Sequence, residues 1–129
     1  MSDNNILMVG AGGHAKAITE ALESHALMAY VDSAAAPWLA AQRIDDDETA
    51  LQSAEPANFV MGMGGVTSGA LEYRFSLFER YLASGRAAPP VRHPAAHVSP
   101  SAQIEEGAII LAGAIVQPGA VIGRAAIVN

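Results

Sequence analysis

The 129-residue sequence contains no cysteine. That excludes disulfides, thiolate metal sites and cysteine nucleophiles together. Lys16 is the only lysine, aromatic residues make up 5%, and charged residues only 16% with a net charge of −6. The arginines are scattered, so there is none of the basic face that a nucleic-acid-binding protein presents. No apolar run reaches the roughly 20 residues of a membrane span. The N-terminus lacks the basic stretch and apolar core of a secretory signal. These absences fit a cytoplasmic protein with no nucleic acid partner. With so few cations, an anionic ligand has to be held by backbone N–H groups, helix ends and a few arginines. No cluster has the spacing of a metal site. Hydrophobic residues make up 51%, enough for a packed core.

What is present follows two rhythms, which predict two domains, residues 1–92 and 93–129. The first alternates strand and helix signals. Strands are expected at 6–9, 27–31 and 58–61, and helices at 13–24 and 69–84. Residues 33–44, with Pro37 and Trp38, read as irregular. Asp45-Asp46-Asp47-Glu48 reads as the capped start of a short helix. Leu71, Phe75, Phe78 and Leu82 stand at helical spacing in the last helix. His25 is expected near the end of the first. This alternation predicts an α/β fold, a small Rossmann-like parallel sheet with helices on its faces.

The second rhythm has a period of six. Val98, Ile104, Ile110, Val116, Ile122 and Val128 recur six apart. Alanine follows four positions after each of the first five, at Ala102, Ala108, Ala114, Ala120 and Ala126, and Gly107, Gly113 and Gly119 precede three of them. Neither a helical nor a simple strand period gives six. Hexapeptide repeats do: each hexad is one short strand and a turn of a parallel β-helix, about three hexads to a coil. The branched aliphatics are expected to point inward and stack. Pro89-Pro90 and Pro94 mark the junction, to which His93 and His97 are assigned.

The chemistry-bearing motif is Gly10-Ala11-Gly12-Gly13-His14-Ala15, directly after the first strand. It satisfies G-x-G-x-x-G/A, whose glycines let a backbone approach a phosphate at a helix N-terminus. Gly10, Gly12, Gly13 and His14 are therefore candidate substrate-binding residues. Asp32 lies about 20 residues on, where a Rossmann pattern puts a ribose-binding acid. Gly62, Gly64 and Gly65 end the third strand on the same edge and join the candidates. Arg74 and Asn129 are weaker ones. Each also has a bland reading: tight turns for the glycines, a strand-end turn for Asp32, a solvated helix face for Arg74. By the fingerprint alone an NAD-binding oxidoreductase fragment stays open, as does a non-catalytic nucleotide-sugar-binding module.

GAGGH after the first strand, an Asp after the second, and H-P-x-A-x-V-S-x-S-A running into hexads resemble one family over essentially the whole chain. It is the bacterial nucleotide-sugar and sialic-acid acetyltransferase family, which includes the N-acetyltransferases of UDP-linked 4-amino sugars. The resemblance implies a left-handed β-helix, although right-handed crossovers are the rule for ordinary parallel sheets. It implies a UDP-linked amino sugar on the N-terminal domain, acetyl-CoA as co-substrate in a cleft between subunits of a homotrimer, and acetyl transfer to an amino or hydroxyl group. It implies a histidine on the β-helix as general base, shortly after a segment like "AIVN". Here that segment is the last, and no histidine follows His97. The 32 residues from Val98 make under two coils at about 18 each. The expectation is a C-terminally truncated member, with the catalytic histidine beyond Asn129, that holds the sugar nucleotide but is inactive alone.

Overall fold

The computed structural model describes residues 5–22 and 27–129. Its centre is a strand with no solvent-facing side. Residues Ile6–Val9 (β1) are all buried, as a continuous apolar run in a parallel sheet requires. Next to it lie Leu27–Val31 (β2), with Gln42–Ile44 (β3) outside that, and Asn58–Met61 (β4) on the other side. The order is β3-β2-β1-β4, and every pairing is parallel. The β3 strand lies inside the stretch that the sequence pattern reads as irregular. Its Gln42-Arg43-Ile44 has little apolar signal because an edge strand is half solvated.

Period-two alternation sorts the side chains of β1 between two cores. Ile6 and Met8 pack with Tyr30, Val60 and the buried stripe Ala15, Ile18 and Ala21 of helix α1 (Gly13–Ala21). Leu7 and Val9 pack with Phe59, Met61 and helix α3 (Ser68–Ala83). The buried stripe of α3 is Arg74, Leu77, Phe78 and Tyr81. That turns the helix from the expected face: Leu71 is 47% exposed and Phe75 sits at the surface under Arg124. The short helix α2 (Asp47–Leu51) starts at the acidic run as expected, with Asp46 as its cap. The end of the first predicted helix and His25 lie outside the described residues.

From Val91 the chain forms two-residue strands: Val91–Arg92 (β5), His97–Val98 (β6), Gln103–Ile104 (β7), Ile109–Ile110 (β8), Ile115–Val116 (β9), Val121–Ile122 (β10) and Ile127–Val128 (β11). They pair in parallel at one constant offset: Val91 with Ile109, His97 with Ile115, Gln103 with Val121, and Ile109 with Ile127. That offset is three hexads, and it generates three faces, β5-β8-β11, β6-β9 and β7-β10. Val98, Ile104, Ile110, Val116, Ile122 and Val128 meet in one cluster, as the repeat predicts. The preceding residue of each strand points outward. On two faces it is exposed, at Ile115 and Val121. On the third, Val91, Ile109 and Ile127 are covered by the α1 core. The stack is thereby fixed to the sheet, and Ala87, just before it, bridges in parallel to Asn58 at the start of β4.

Candidate functional site

The turn after β1 is set by Gly10, which has φ +93, a conformation reserved for glycine. Its N–H donates to the Val31 carbonyl at 2.8 Å. The next N–H, of Ala11, donates to Asp32 Oδ2 at 2.9 Å, and the Ala34 N–H donates to Oδ1 of the same carboxylate at 2.9 Å. Asp32 therefore ties the first turn to the loop after β2. Gly62 serves the neighbouring strand end. A Cβ there would stand 2.2 Å from the Gly10 carbonyl oxygen, so the two turns cross in contact.

Gly12 and Gly13 are different. Gly12 has φ −83, which any residue adopts, and a Cβ on either would meet nothing within 4 Å. Neither backbone strain nor packing asks for glycine. The helix they open also lacks a side-chain cap. In α2 the Asp46 carboxylate accepts from the Thr49 N–H at 2.8 Å, and in α3 Thr67 Oγ1 accepts from the Ala70 N–H at 3.1 Å. No side chain caps the N-terminus of α1; its Ala15 N–H turns back to the Gly12 carbonyl at 3.1 Å, and its partial positive charge stays open.

Two crevices flank the turn after β4. The first, about 270 Å³, lies between Gly10, Asp32, Met63 and the residues Asp45–Asp47. It is lined by carboxylates and suits a ligand portion rich in O–H and N–H donors. The acidic run is also structurally engaged: Asp45 pairs with Arg43 at 2.8 Å, Asp47 accepts from the Tyr81 hydroxyl at 2.6 Å, and Glu48 pairs with Arg80 at 2.7 Å. Burial, together with Asp47, pushes the Tyr81 phenol well above its usual range. Among the described residues no group of His, Asp or Glu is arranged to hold a metal ion.

The second crevice, about 380 Å³, is bounded by His14, Gly64, Gly65, Arg74, Ala125 and Asn129. Here the sign reverses. The His14 ring lies over Gly64, where a Cβ would stand 3.3 Å from it. Burial, and secondarily the Arg74 charge, hold the His14 imidazole below its ordinary pKa. Its Nε2 is buried without a partner. Arg74 is 4% exposed. Its Nε donates to the Met63 carbonyl at 2.8 Å and its Nη1 to the Ala125 carbonyl at 2.5 Å. Its Nη2 has no partner.

Arg74 is thus the residue whose weight the sequence understates. Its place in the buried stripe of α3 is masked by Leu71 and Phe75, and its partner carbonyls come from chain far away. Gly10, Asp32 and Gly62 meet at one strand edge, with Gly12, Gly13 and His14 opening the adjacent helix. Gly64, Gly65, Arg74 and Asn129 share the second crevice with His14. His93 and His97 lie elsewhere: His93 Nδ1 accepts from the Ala95 N–H at 2.9 Å, and His97 is an exposed residue of β6. Lys16 projects over the Trp38 ring at 5.5 Å.

No protein-family model and no curated protein matches the sequence. Solved structures do. A histidine-to-asparagine variant of perosamine N-acetyltransferase from Caulobacter crescentus, in complex with CoA and GDP-perosamine, superposes with a TM-score of 0.81 at 26% identity. It is matched over 96% of this chain and 59% of its own. The acetyltransferase domain of PglB from Neisseria gonorrhoeae FA1090, in complex with acetyl coenzyme A, gives a TM-score of 0.75 at 31% identity, over 96% of this chain and 60% of its own. This chain is a structural relative of the sugar N-acetyltransferases. It spans about three fifths of the length of these relatives, 59% and 60%. Like them it is an α/β protein of many short parallel strands. Among the described residues no helix is long and apolar enough to cross a membrane.

Proposed function

We propose that the chain is the nucleotide-sugar-binding part of an acetyltransferase that moves acetyl from acetyl-CoA to an amino group of a nucleotide-linked sugar. The observation that carries this reading is the likeness over 96% of the chain to a sugar N-acetyltransferase solved with CoA and GDP-perosamine. In this reading the residues up to Pro89-Pro90 are a Rossmann-like substrate domain, and the strands from Val91 onward are coils of a left-handed β-helix. The intact enzyme is a cytoplasmic homotrimer.

The two crevices divide the ligand. The carboxylate-lined one takes the nucleoside, whose ribose hydroxyls and base N–H groups donate to acidic oxygens. Gly12, Gly13 and the open N-terminus of α1 face the diphosphate. The crevice of His14, Gly64, Gly65 and Arg74 continues from that N-terminus toward the strand stack, so the sugar beyond the diphosphate is directed to the coils. In the transfer the sugar amine attacks the thioester carbonyl, the C–N bond forms, the C–S bond breaks and CoA leaves as thiolate. The amine proton passes to a base. The resemblance assigns that base to a histidine on the coils, and residues 98–129 hold none.

The dinucleotide alternative has less support. The likeness to sugar N-acetyltransferases extends over the strand stack as well as the sheet, and a dinucleotide-binding oxidoreductase leaves the stack unexplained. Calorimetric titration with a UDP-4-amino sugar, GDP-perosamine, NAD and acetyl-CoA separates the readings. A sugar nucleotide is expected to bind and NAD is not. Binding of NAD with neither sugar nucleotide bound would overturn the proposal.

A further inference from the structure

Two arginines are nine-tenths or more buried, and they are used differently. Arg86 spends every nitrogen on the protein. Nε donates to the Pro56 carbonyl at 3.0 Å, Nη1 to Ser84 Oγ at 3.1 Å, and Nη2 to the carbonyls of Ala50 at 3.1 Å and Glu55 at 2.8 Å. It is a structural staple between α2, the loop before β4 and the end of α3. Arg74 spends two nitrogens, on Met63 and Ala125, and leaves Nη2 free. The ion pairs of the described residues are Arg43–Asp45, Arg80–Glu48 and Arg124–Glu79, and Arg74 takes part in none. A guanidinium stays charged when buried. A buried charge with an unused donor carries a large desolvation cost unless something completes it.

The same crevice holds a second unused atom, Nε2 of His14, and it opens beside the uncapped start of α1. No Asp or Glu side chain lines it. Three sources of positive potential therefore converge where no acidic side chain stands.

We infer that Arg74 is a ligand-binding residue, whose Nη2 together with His14 Nε2 takes an anionic oxygen of the sugar nucleotide's diphosphate. This rests on the proposed function and adds to it a residue that lies outside the glycine motif. Nε and Nη1 meanwhile hold the turn after β4 and the corner at Ala125 at a fixed spacing, so the diphosphate is read against both parts of the chain. Fork geometry makes arginine specific here. A lysine at the same place could offer its charge but could not reach two carbonyls and a ligand at once. The phosphates of CoA offer the same chemistry, and the test separates the two sources.

Affinities are measured for inorganic pyrophosphate, UDP, GDP, a UDP-4-amino sugar, uridine and CoA on the wild-type chain, R74M and R74K. R74M is expected to weaken pyrophosphate and the diphosphates by about 10- to 100-fold, the range of one charge-assisted hydrogen bond. Uridine and CoA affinities are expected to stay unchanged, and R74K to recover only part of the loss. The wild-type chain gives a second readout that no variant's folding can disturb. By proton NMR the His14 titration midpoint should rise when pyrophosphate or UDP binds, because an anion between His14 and Arg74 offsets the arginine's effect. A folded R74M that binds diphosphates like wild type, or a His14 midpoint that bound diphosphate leaves in place, would overturn the inference while leaving the proposed function standing. Loss confined to CoA overturns it in favour of the other source. Should sugar nucleotides fail to bind while pyrophosphate binds through Arg74, the functional reading falls and the anion site stands. No binding of any phosphate ligand to the wild-type chain removes both.

Discussion

Glycine occurs at this sheet edge for separate physical reasons, and substitution should separate them. Gly62 has backbone against it: a Cβ would stand 2.2 Å from the Gly10 carbonyl oxygen, which cannot move without breaking the β1 turn. Gly62→Ala should cost about 3 kcal/mol or more in denaturant unfolding, the upper end of overpacking. Gly12 has open space in front of it and an ordinary φ. Gly12→Val should leave the unfolding midpoint within about 1 kcal/mol of wild type. It should still weaken a sugar nucleotide about 10- to 100-fold, since the new methyls occupy the approach to the α1 N-terminus. Undiminished affinity in folded G12V would remove the diphosphate from this turn. The G-x-G-x-x-A pattern showed that glycines were wanted here, but one spacing fits both demands. The separation needs the φ of Gly10 and the neighbours of Gly62, which are supplied by chain fifty residues away. His14 carries a pH prediction at the same scale. Its pKa is lowered in the folded chain by burial and by Arg74. The folded state therefore binds the proton less readily than the unfolded state, and stability should fall as pH drops below about 6.5. In R74M the His14 midpoint in proton NMR should move back up. A midpoint at or above 6.5 in the ligand-free wild-type chain would contradict the assigned environment.

At the scale of elements, the hexad corners are legible because each repeats a single constraint. Gly107, Gly113 and Gly119 have φ between +77 and +78, and Ala125 adopts φ 59 at the equivalent place. Two of these corners form a natural experiment. At Gly113 a Cβ meets nothing within 4 Å, so Gly113→Ala tests backbone strain alone, about 1–2 kcal/mol. At Gly107 a Cβ would fall 2.3 Å from Phe78 Cε1, and Phe78 is fully buried between the sheet and the stack. Gly107→Ala should cost that strain plus a displaced aromatic ring, about 1–3 kcal/mol more. Equal unfolding free energies for the two variants would show that α3 and the stack are not packed as described. The six-residue period made the stack readable, since it matches neither helix nor ordinary strand. The face turned inward by α3 was not readable, because Leu71, Phe75, Phe78 and Leu82 form as good a stripe as the true one. Arg74 sits in that true stripe, and a charged residue in a sequence pattern reads as solvated until its carbonyl partners are known. The β3 edge strand is illegible in the sequence for a related reason: half its surroundings are water, so its residues carry no period.

For the whole molecule, the proposed function separates holding from transfer. The groups suited to a sugar nucleotide, from the carboxylates at Asp32 and Asp45–Asp47 to Arg74, stand on the sheet edge and its helices, which have their own cores. The groups suited to acetyl transfer would have to come from the coils. The second crevice contains one imidazole, His14, held below its ordinary pKa by burial and Arg74 and facing the place assigned to the diphosphate. A base there would be poorly placed for an amine on the sugar. The coil residues 98–129 contain neither histidine nor cysteine. General-base loss alone lowers rate by about 10²–10⁴-fold. An acetyl donor that is not held against the amine loses the far larger advantage of proximity. The purified 129-residue chain is therefore expected to bind a sugar nucleotide and to transfer no acetyl. Thiol release from acetyl-CoA in the presence of a UDP-4-amino sugar or GDP-perosamine measures this directly. Appending the coils of a relative such as perosamine N-acetyltransferase at Asn129 should restore release, and H14A in that chimera should raise KM for the sugar nucleotide more than it lowers kcat. Rapid turnover by the 129 residues alone, abolished by H14A, would instead make His14 the base and overturn both its placement at the diphosphate and the division between sheet and coils.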